Sequence, residues 1–186
     1  MPRIATPTSI ETAPQAAQPL LHAVKKQLGV VPNMFRAISN SPAALEGYLG
    51  LNAALAKGAL EPATRERIAL AIAEVNGCDY CASAHTYLGK NLAKLSDEEI
   101  AANRDGKSTE IKPDAAVGFA VKLARSRGHI SEADLKSVKD AGYTEAQVIE
   151  IVLHVALNTL TNYINETVKP EIDFPSVTTS PLRRAA

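Results

Sequence analysis

The chain has 186 residues, of which 46% are apolar and only 4% aromatic, and it contains no tryptophan. This length suits one domain that buries a hydrophobic core of its own. The 20 Lys and Arg residues balance the 20 Asp and Glu residues, and no basic stripe recurs along the sequence, so we do not expect a nucleic acid as a partner.

Residues 1–24 lack the continuous apolar stretch behind basic residues that marks a secretory signal. No run in the chain approaches the ~18 apolar residues that span a bilayer. We therefore expect a soluble, cytoplasmic protein with no membrane partner.

Apolar residues recur every three or four positions along most of the sequence, a spacing typical of helices that face a core. Pro62 is suited to a first helical turn, and Ser96 with Glu99 and Thr144 with Gln147 make capping-box patterns. No segment alternates like a strand, so we predict an all-α bundle of about seven to nine helices. The helices are predicted at residues 15–28, 42 to near 58, 62–76, 78–94, 97–103, 113–127, 132–140 and 145–168, with a polar loop over 104–112.

The predicted organisation is a single helical domain over residues 15–175. Residues 1–14 hold three prolines and are expected to form an extended arm. Residues 176–186 are expected to form a weakly ordered tail, preceded by a docking Phe174. The segment 30–35 is expected to be a loop that packs apolar side chains inward.

Both cysteines of the chain, Cys78 and Cys81, lie three residues apart, and His85 follows four residues later. Such a short loop cannot staple a fold, so without an export signal the pair indicates redox or metal chemistry. If Gly77 ends one helix and Cys78 begins the next, the thiols and the imidazole share one helical face. A thiol near a helix N-terminus faces unpaired N–H groups and the positive end of the helix dipole, which favours its thiolate.

These residue types are the ones that a thiol peroxidase needs. Peroxide reduction requires a thiolate nucleophile, a proton for the departing oxygen and a second thiol that closes a disulfide over the sulfenic acid. Cys81, one turn inside the helix, suits attack, and Cys78, at the helix edge, suits condensation with Cys81 and presentation to a reductant. His85 could relay a proton, and Glu66 could reach the site if the preceding helix packs antiparallel to this one.

Glu66, the run Cys78-Asp79-Tyr80-Cys81 and His85 together resemble the signature of the carboxymuconolactone decarboxylase superfamily, in particular its alkylhydroperoxidase D branch and the peroxidase-related relatives. The resemblance extends over roughly residues 41–175 and is also carried by 141–143, Asn158, Asn162 and 171–175. It implies an all-helical, alkylhydroperoxidase D-like bundle assembled as a trimer or hexamer. It also implies cofactor-independent reduction of hydrogen peroxide or organic hydroperoxides, with a lipoyl-linked or thioredoxin-like dithiol donor as the reductant.

By the same resemblance, Cys81 matches the peroxide-attacking position and Cys78 the proton-donating and resolving position, while Glu66 and His85 match the proton relay. Tyr80 is a departure, because the hydroperoxidase branch has histidine there, and a phenol does not titrate near neutral pH. The decarboxylase branch lacks the paired cysteines, so decarboxylation of a lactone is disfavoured here.

Other interpretations of the dithiol remain open. The two cysteines could be small buried hydrophobes, or Glu66 a solvated surface acid. A structural zinc site would need a fourth ligand, and no second Cys or His pair has suitable spacing, so we predict no metal. The same dithiol could serve a dithiol–disulfide oxidoreductase that acts on a partner protein, or a helical oligomer that senses redox state.

A polar stripe runs along the last predicted helix, where Glu150, His154, Asn158 and Asn162 recur every four residues among apolar neighbours. His154 and Asn158 are candidate pocket residues beside the dithiol, and Tyr80 is a third. The alternative, which we favour for the stripe, is a hydrogen-bonded seam between helices or subunits.

Overall fold

The computed structural model describes residues 2–180, and every regular element in that range is helical. A single 3₁₀ turn, Gln15–Ala17, leads into the first α-helix. The helices are α1 (Gln18–Leu28), α2 (Asn33–Ile38), α3 (Pro42–Leu55), α4 (Pro62–Asn76), α5 (Asp79–Asn91), α6 (Asp97–Arg104), α7 (Ile111–Arg125), α8 (Glu132–Asp140) and α9 (Glu145–Val168). The predicted all-α fold is confirmed, and its described helices lie within the predicted number. None of them combines the length and hydropathy that a bilayer span requires.

Local capping explains most helix starts. Ser131 with Asp134 and Thr144 with Gln147 form complete capping boxes at α8 and α9. Ser96 caps α6 by accepting from the Glu99 N–H. The capping box predicted there is nevertheless wrong, because the Glu99 carboxylate turns inward and accepts hydrogen bonds elsewhere.

Helix α2 corrects the loop that was predicted over residues 30–35. Its first N–H, on Asn33, donates to Oδ2 of Asp173 at 2.7 Å, so the cap of this helix comes from the far end of the chain. The carboxylate also suits the positive end of the helix dipole. This long-range cap is invisible in the local sequence pattern.

Helix α4 is the centre of the bundle and packs against α5, α6, α7 and α9. Its Ile68, Leu70 and Ile72 are completely buried, and burying such a side chain contributes about 1.5–3 kcal/mol. One core cluster joins α1, α2 and α3 to the start of α5, and a second joins α4 to α7, α8 and α9. The first cluster encloses both cysteines.

The segment after α9 lies across α5. Phe174 packs edge-on against Tyr80, with ring centroids 5.9 Å apart. The Val177 N–H donates to Ser83 Oγ at 2.8 Å, and Thr179 donates to the Asp79 carboxylate. Of the predicted tail 176–186, residues 181–186 lie outside the described range, and the predicted division into arm, domain and tail stays a prediction.

Candidate active site

The turn between α4 and α5 places Cys78. Gly77 ends α4 with a φ of 67°, a left-handed conformation that glycine adopts without steric cost. The Cys78 N–H then donates to the Ala73 carbonyl at 2.9 Å. Cys78 is the N-cap residue of α5, and its sulfur accepts from the Cys81 N–H at 3.3 Å. The thiol therefore occupies the position that a serine or aspartate oxygen takes in common caps.

The two sulfurs form a polarised pair. Both cysteines are free and buried, at 0% and 3% exposure, and the Cys78 thiol donates to Cys81 Sγ at 2.9 Å. This hydrogen bond raises the pKa of Cys78, with burial acting in the same direction. It also lowers the pKa of Cys81 to about 7, against the effect of burial and with the help of His85. Cys81 is therefore the more acidic thiol, as a nucleophile near neutral pH requires.

Glu66 and His85 meet between α4 and α5, which pack as neighbours. Glu66 Oε2 lies 2.8 Å from His85 Nδ1, and their side chains are 23% and 21% exposed. Burial opposes a charge on His85, but the Glu66 carboxylate outweighs it and raises the pKa of the imidazole. The pair thus joins a proton donor to an orienting carboxylate one turn from Cys81.

Asn165 contacts the nucleophilic sulfur from α9. Its Nδ2 donates to Cys81 Sγ at 3.2 Å, and the residue is 1% exposed. Asn162, one turn earlier and fully buried, accepts from Asn76 Nδ2 at 2.8 Å. Sequence reasoning named Asn162 but missed Asn165. The available signal was a further polar residue, one helical turn along the same face of α9.

Tyr48, on α3, is a second residue that the sequence analysis missed. Burial raises the pKa of its phenol, and the charges of Cys81 and Glu66 add to this effect. Tyr48 therefore stays neutral, packed against the core cluster that contains both cysteines. Nothing in its local sequence distinguishes it from a core aromatic.

Tyr80 connects three parts of the chain. Its hydroxyl donates to Asp173 Oδ1 at 2.7 Å and accepts from the Met34 N–H at 3.1 Å. Burial and the hydrogen bond to Asp173 raise the pKa of its phenol. These contacts assign Tyr80 to the junction of α2, α5 and the C-terminal segment, with no hydrogen bond to either sulfur among the described residues.

Most of the polar stripe on α9 forms structural contacts. The Glu150 carboxylate accepts from the N–H groups of Ala59 and Leu60, both at 2.8 Å. Asn158 donates to the His154 carbonyl of its own helix. Burial, helped by the nearby charge of Arg65, lowers the pKa of His154 to about 4. Asn162, the last member of the stripe, is fully buried one turn before Asn165, the residue of α9 that contacts Cys81.

The part of the chain that the structure describes contains no group of three or more His, Cys, Asp and Glu side chains that could hold a metal ion. The arrangement instead offers an acidic thiol, a neighbouring thiol, and an imidazole held by a carboxylate. Such a set can carry out thiol redox chemistry with proton transfer.

One family model matches part of the chain. Residues 42–108 match the model of the carboxymuconolactone decarboxylase family, a range that includes Glu66, both cysteines and His85. This match confirms the resemblance predicted from the sequence. No curated protein matches the chain.

Solved structures share the fold at low identity. The alkylhydroperoxidase AhpD core of an uncharacterized peroxidase-related protein from Ralstonia eutropha JMP134 is 22% identical, with a TM-score of 0.82 and 92% of each chain covered. An uncharacterized peroxidase-related protein from Silicibacter sp. TM1040 is 20% identical, with a TM-score of 0.78, 91% of this chain covered and 93% of that one. The debrominase Bmp8 in complex with 2,3,4-tribromopyrrole is 21% identical, with a TM-score of 0.75, 100% of this chain covered and 96% of that one.

Proposed function

Given the match of residues 42–108 to the carboxymuconolactone decarboxylase family, we propose that the protein is a thiol-dependent peroxidase. It reduces hydrogen peroxide or organic hydroperoxides through a Cys78–Cys81 disulfide cycle and needs no cofactor. The observation that carries the proposal is the hydrogen bond from the Cys78 thiol to Cys81 Sγ, 2.9 Å long, next to the Glu66–His85 pair. Together these groups supply a nucleophile, a resolving thiol and a proton donor.

In the first step, the Cys81 thiolate attacks the terminal oxygen of the hydroperoxide. An S–O bond forms, the O–O bond breaks, and His85, oriented by Glu66, supplies the proton that the departing alkoxide takes up. The products are an alcohol, or water from hydrogen peroxide, and a sulfenic acid on Cys81.

In the second step, the Cys78 sulfur attacks the sulfur of this sulfenic acid. The S–S bond forms, the S–O bond breaks, and the oxygen leaves as water with the thiol proton. A dithiol donor, lipoyl-linked or thioredoxin-like, then reduces the disulfide and is itself oxidised. The net reaction converts a hydroperoxide and a dithiol into an alcohol, water and a disulfide.

The test is peroxide consumption by the reduced protein with a panel of dithiol donors. We expect Cys81→Ser to abolish consumption, because it removes the more acidic thiol while burial still raises the pKa of the remaining Cys78. We expect Cys78→Ser to consume one equivalent of peroxide and stop at a sulfenic acid, visible by mass spectrometry. Turnover that survives in Cys81→Ser would refute the assignment.

A homo-oligomer, trimer or hexamer, is part of the proposal. Helix α9 presents an apolar face to solvent, and Ile149 and Tyr163 at its ends are each 61% exposed. An apolar face of this kind on a single chain is typical of a protein–protein contact. Light scattering on the purified protein tests the subunit number. We also propose a cytoplasmic location, where thiols are kept reduced.

Reductive debromination is a second candidate function, favoured by the likeness to debrominase Bmp8 over 100% of this chain. Here a dithiol supplies two electrons: a C–H bond replaces the C–Br bond, bromide and a proton are released, and a Cys78–Cys81 disulfide forms. Bromide release from 2,3,4-tribromopyrrole and consumption of hydrogen peroxide can be compared in one preparation, and the faster reaction identifies the activity.

Dithiol exchange with a partner protein, and redox sensing without turnover, are the remaining interpretations of the site. Cys78 and Cys81 are 0% and 3% exposed, which favours a small oxidant such as a hydroperoxide. If peroxide oxidises the thiols no faster than it oxidises free cysteine, protein exchange gains support. Reversible oxidation without turnover would support redox sensing.

A further inference from the structure

One side-chain amide of α9 contacts the dithiol, and two further amides form a hydrogen bond one helical turn away. Asn165 Nδ2 donates to Cys81 Sγ at 3.2 Å. Asn162 lies one turn earlier on α9 and is fully buried, and its amide favours a lower pKa of Cys81. Asn76, at the end of α4, donates through Nδ2 to Asn162 Oδ1 at 2.8 Å.

The contact with Asn76 fixes how Asn162 is turned. Asn162 Oδ1 accepts the hydrogen bond from Asn76. The other polar atom of the amide, Nδ2, therefore points away from Asn76. Within residues 2–180 this Nδ2 has no conventional hydrogen-bond partner, and neither has Oδ1 of Asn165. Both residues are essentially inaccessible, at 0% and 1% exposure.

The fold carries unpaired buried groups elsewhere too, such as Asn103 Oδ1 and His154 Nε2, so the contact with the sulfur is the observation that distinguishes the amide of Asn165. A buried polar atom without a partner destabilises the native state. Apolar side chains occupy other buried positions of α9, such as Ile151 and Leu157. Leucine at 162 or 165 would avoid the destabilisation that a buried, unpaired polar atom causes. At position 165, leucine would also lose the hydrogen bond from Nδ2 to Cys81 Sγ.

The amides distinguish between the two sulfurs. In the described chain the Asn165 amide reaches Cys81 Sγ, whereas Cys78 Sγ hydrogen-bonds to the N–H and the sulfur of Cys81. An N–H donor stabilises a thiolate more than a neutral thiol, because a hydrogen bond to a charged acceptor is stronger. The placement thus favours negative charge on one sulfur of the pair.

We propose that Asn165 and Asn162 are positioning residues that add to the hydrogen bond from Cys78 in favouring the Cys81 thiolate, and so strengthen the preference for Cys81 as the sulfur that attacks the substrate. This inference rests on the proposed function in taking Cys81 as the nucleophile. The proposed role belongs to side chains of α9, which the Cys–Cys–His spacing on α5 does not predict. The effect of both amides on the pKa of Cys81, which lies at about 7, has the required direction.

The experiment measures the alkylation rate of the reduced protein by iodoacetamide as a function of pH, with mass spectrometry to identify the labelled cysteine. The variants are Asn165→Leu and Asn162→Leu, and the matched control is Thr161→Val. Thr161 is also buried on α9, and its hydroxyl donates only to carbonyls of its own helix.

We expect the native protein and Thr161→Val to label Cys81 first, with an apparent pKa near 7. Loss of the Asn165 donor should raise this apparent pKa by about one unit, so that the thiolate fraction below neutral pH falls about tenfold. Asn162→Leu should shift it in the same direction by less. The preference for Cys81 over Cys78 should weaken in both variants.

Asn165→Asp provides a second measurement that preserves the shape of the side chain. A carboxylate against the sulfur should raise the apparent pKa further than leucine does. An unchanged pH profile and unchanged labelling of Cys81 in a folded Asn165 variant, checked by circular dichroism, would overturn the inference. Alkylation requires no peroxide turnover, so a protein that fails to consume peroxide but shows the shift would lose the proposed function and keep the role of the amides.

Discussion

Replacing Glu66 by glutamine tests whether the carboxylate serves His85. The substitution keeps the shape of the side chain and removes the charge that lies 2.8 Å from His85 Nδ1. A neutral amide oxygen can still accept from Nδ1, so the change isolates the charge from the contact. We expect peroxide reduction to fall about a hundredfold at neutral pH, within the range for loss of general acid–base assistance.

The same substitution should change how stability depends on pH. Burial disfavours protonated His85, but the Glu66 carboxylate outweighs it and raises the pKa of His85 above 6.5. A raised folded-state pKa means that the pair stabilises the protein fully below about pH 6.5, and that this contribution is lost as the pH rises through the folded-state value. The side chains are only about a fifth exposed, so solvent screening is modest. We expect the charge to contribute about 1 kcal/mol, the difference between a charged and a neutral hydrogen bond.

Urea unfolding of the native protein and of Glu66→Gln at about pH 6 and about pH 9 measures this contribution. The free energies of unfolding should differ by about 1 kcal/mol at the lower pH and converge at the higher pH. Glu46→Gln is the matched control, because Glu46 is an exposed carboxylate on α3. Equal pH dependence in the native protein and Glu66→Gln, together with unchanged peroxide reduction, would refute the carboxylate–imidazole reasoning.

Three further predictions concern contacts around the site and in the core. Tyr80→Phe removes the hydroxyl that donates to Asp173. We expect the free energy of unfolding to fall by about 1 kcal/mol and the rate of thiol alkylation to stay unchanged. Slower alkylation would show that the phenol acts on the thiols. Gly58→Ala places a Cβ 2.7 Å from the Glu150 carboxylate, which accepts from two backbone N–H groups. Displacement of this carboxylate should lower the free energy of unfolding in urea by about 1–3 kcal/mol. An unchanged unfolding midpoint would contradict this contact. Burial opposes the charge of Glu99, but hydrogen bonds outweigh burial and lower its pKa from 4.5 to about 2. The native protein should therefore lose about 3 kcal/mol as the pH falls through that interval, a dependence that Glu99→Gln should lack when unfolding is followed against pH.

Helix boundaries were predictable where their signals are local. The predicted ranges of α4, α8 and α9 agree with the structure at both ends, because proline, serine or threonine begins each helix and Gly77 ends α4. Helix α2 was missed because its cap, Asp173, is 140 residues away in the chain. The capping role of Glu99 was mistaken because the buried Arg67 binds its carboxylate instead.

The candidate site likewise contains residues that local spacing predicts and residues that depend on how the helices pack. Cys78, Cys81 and His85 belong to one helix, so their shared face follows from helical periodicity alone. The partner of His85 depended on how α4 packs against α5, and the structure places Glu66 there. Asn165 comes from the other end of the chain, and its contact with Cys81 spans 84 residues.

The sequence by itself determined the all-helical class, most helix ends and the spacing of two thiols and an imidazole, because these follow from periodicity and from groups within one or two turns of each other. Only the tertiary structure decided which thiol is acidic. That difference arises from the direction of the hydrogen bond between the sulfurs, from the charge of His85 and from amides that α9 brings to Cys81, all of which act against burial. The contact from α9 depends on the packing of distant helices, which local spacing does not encode.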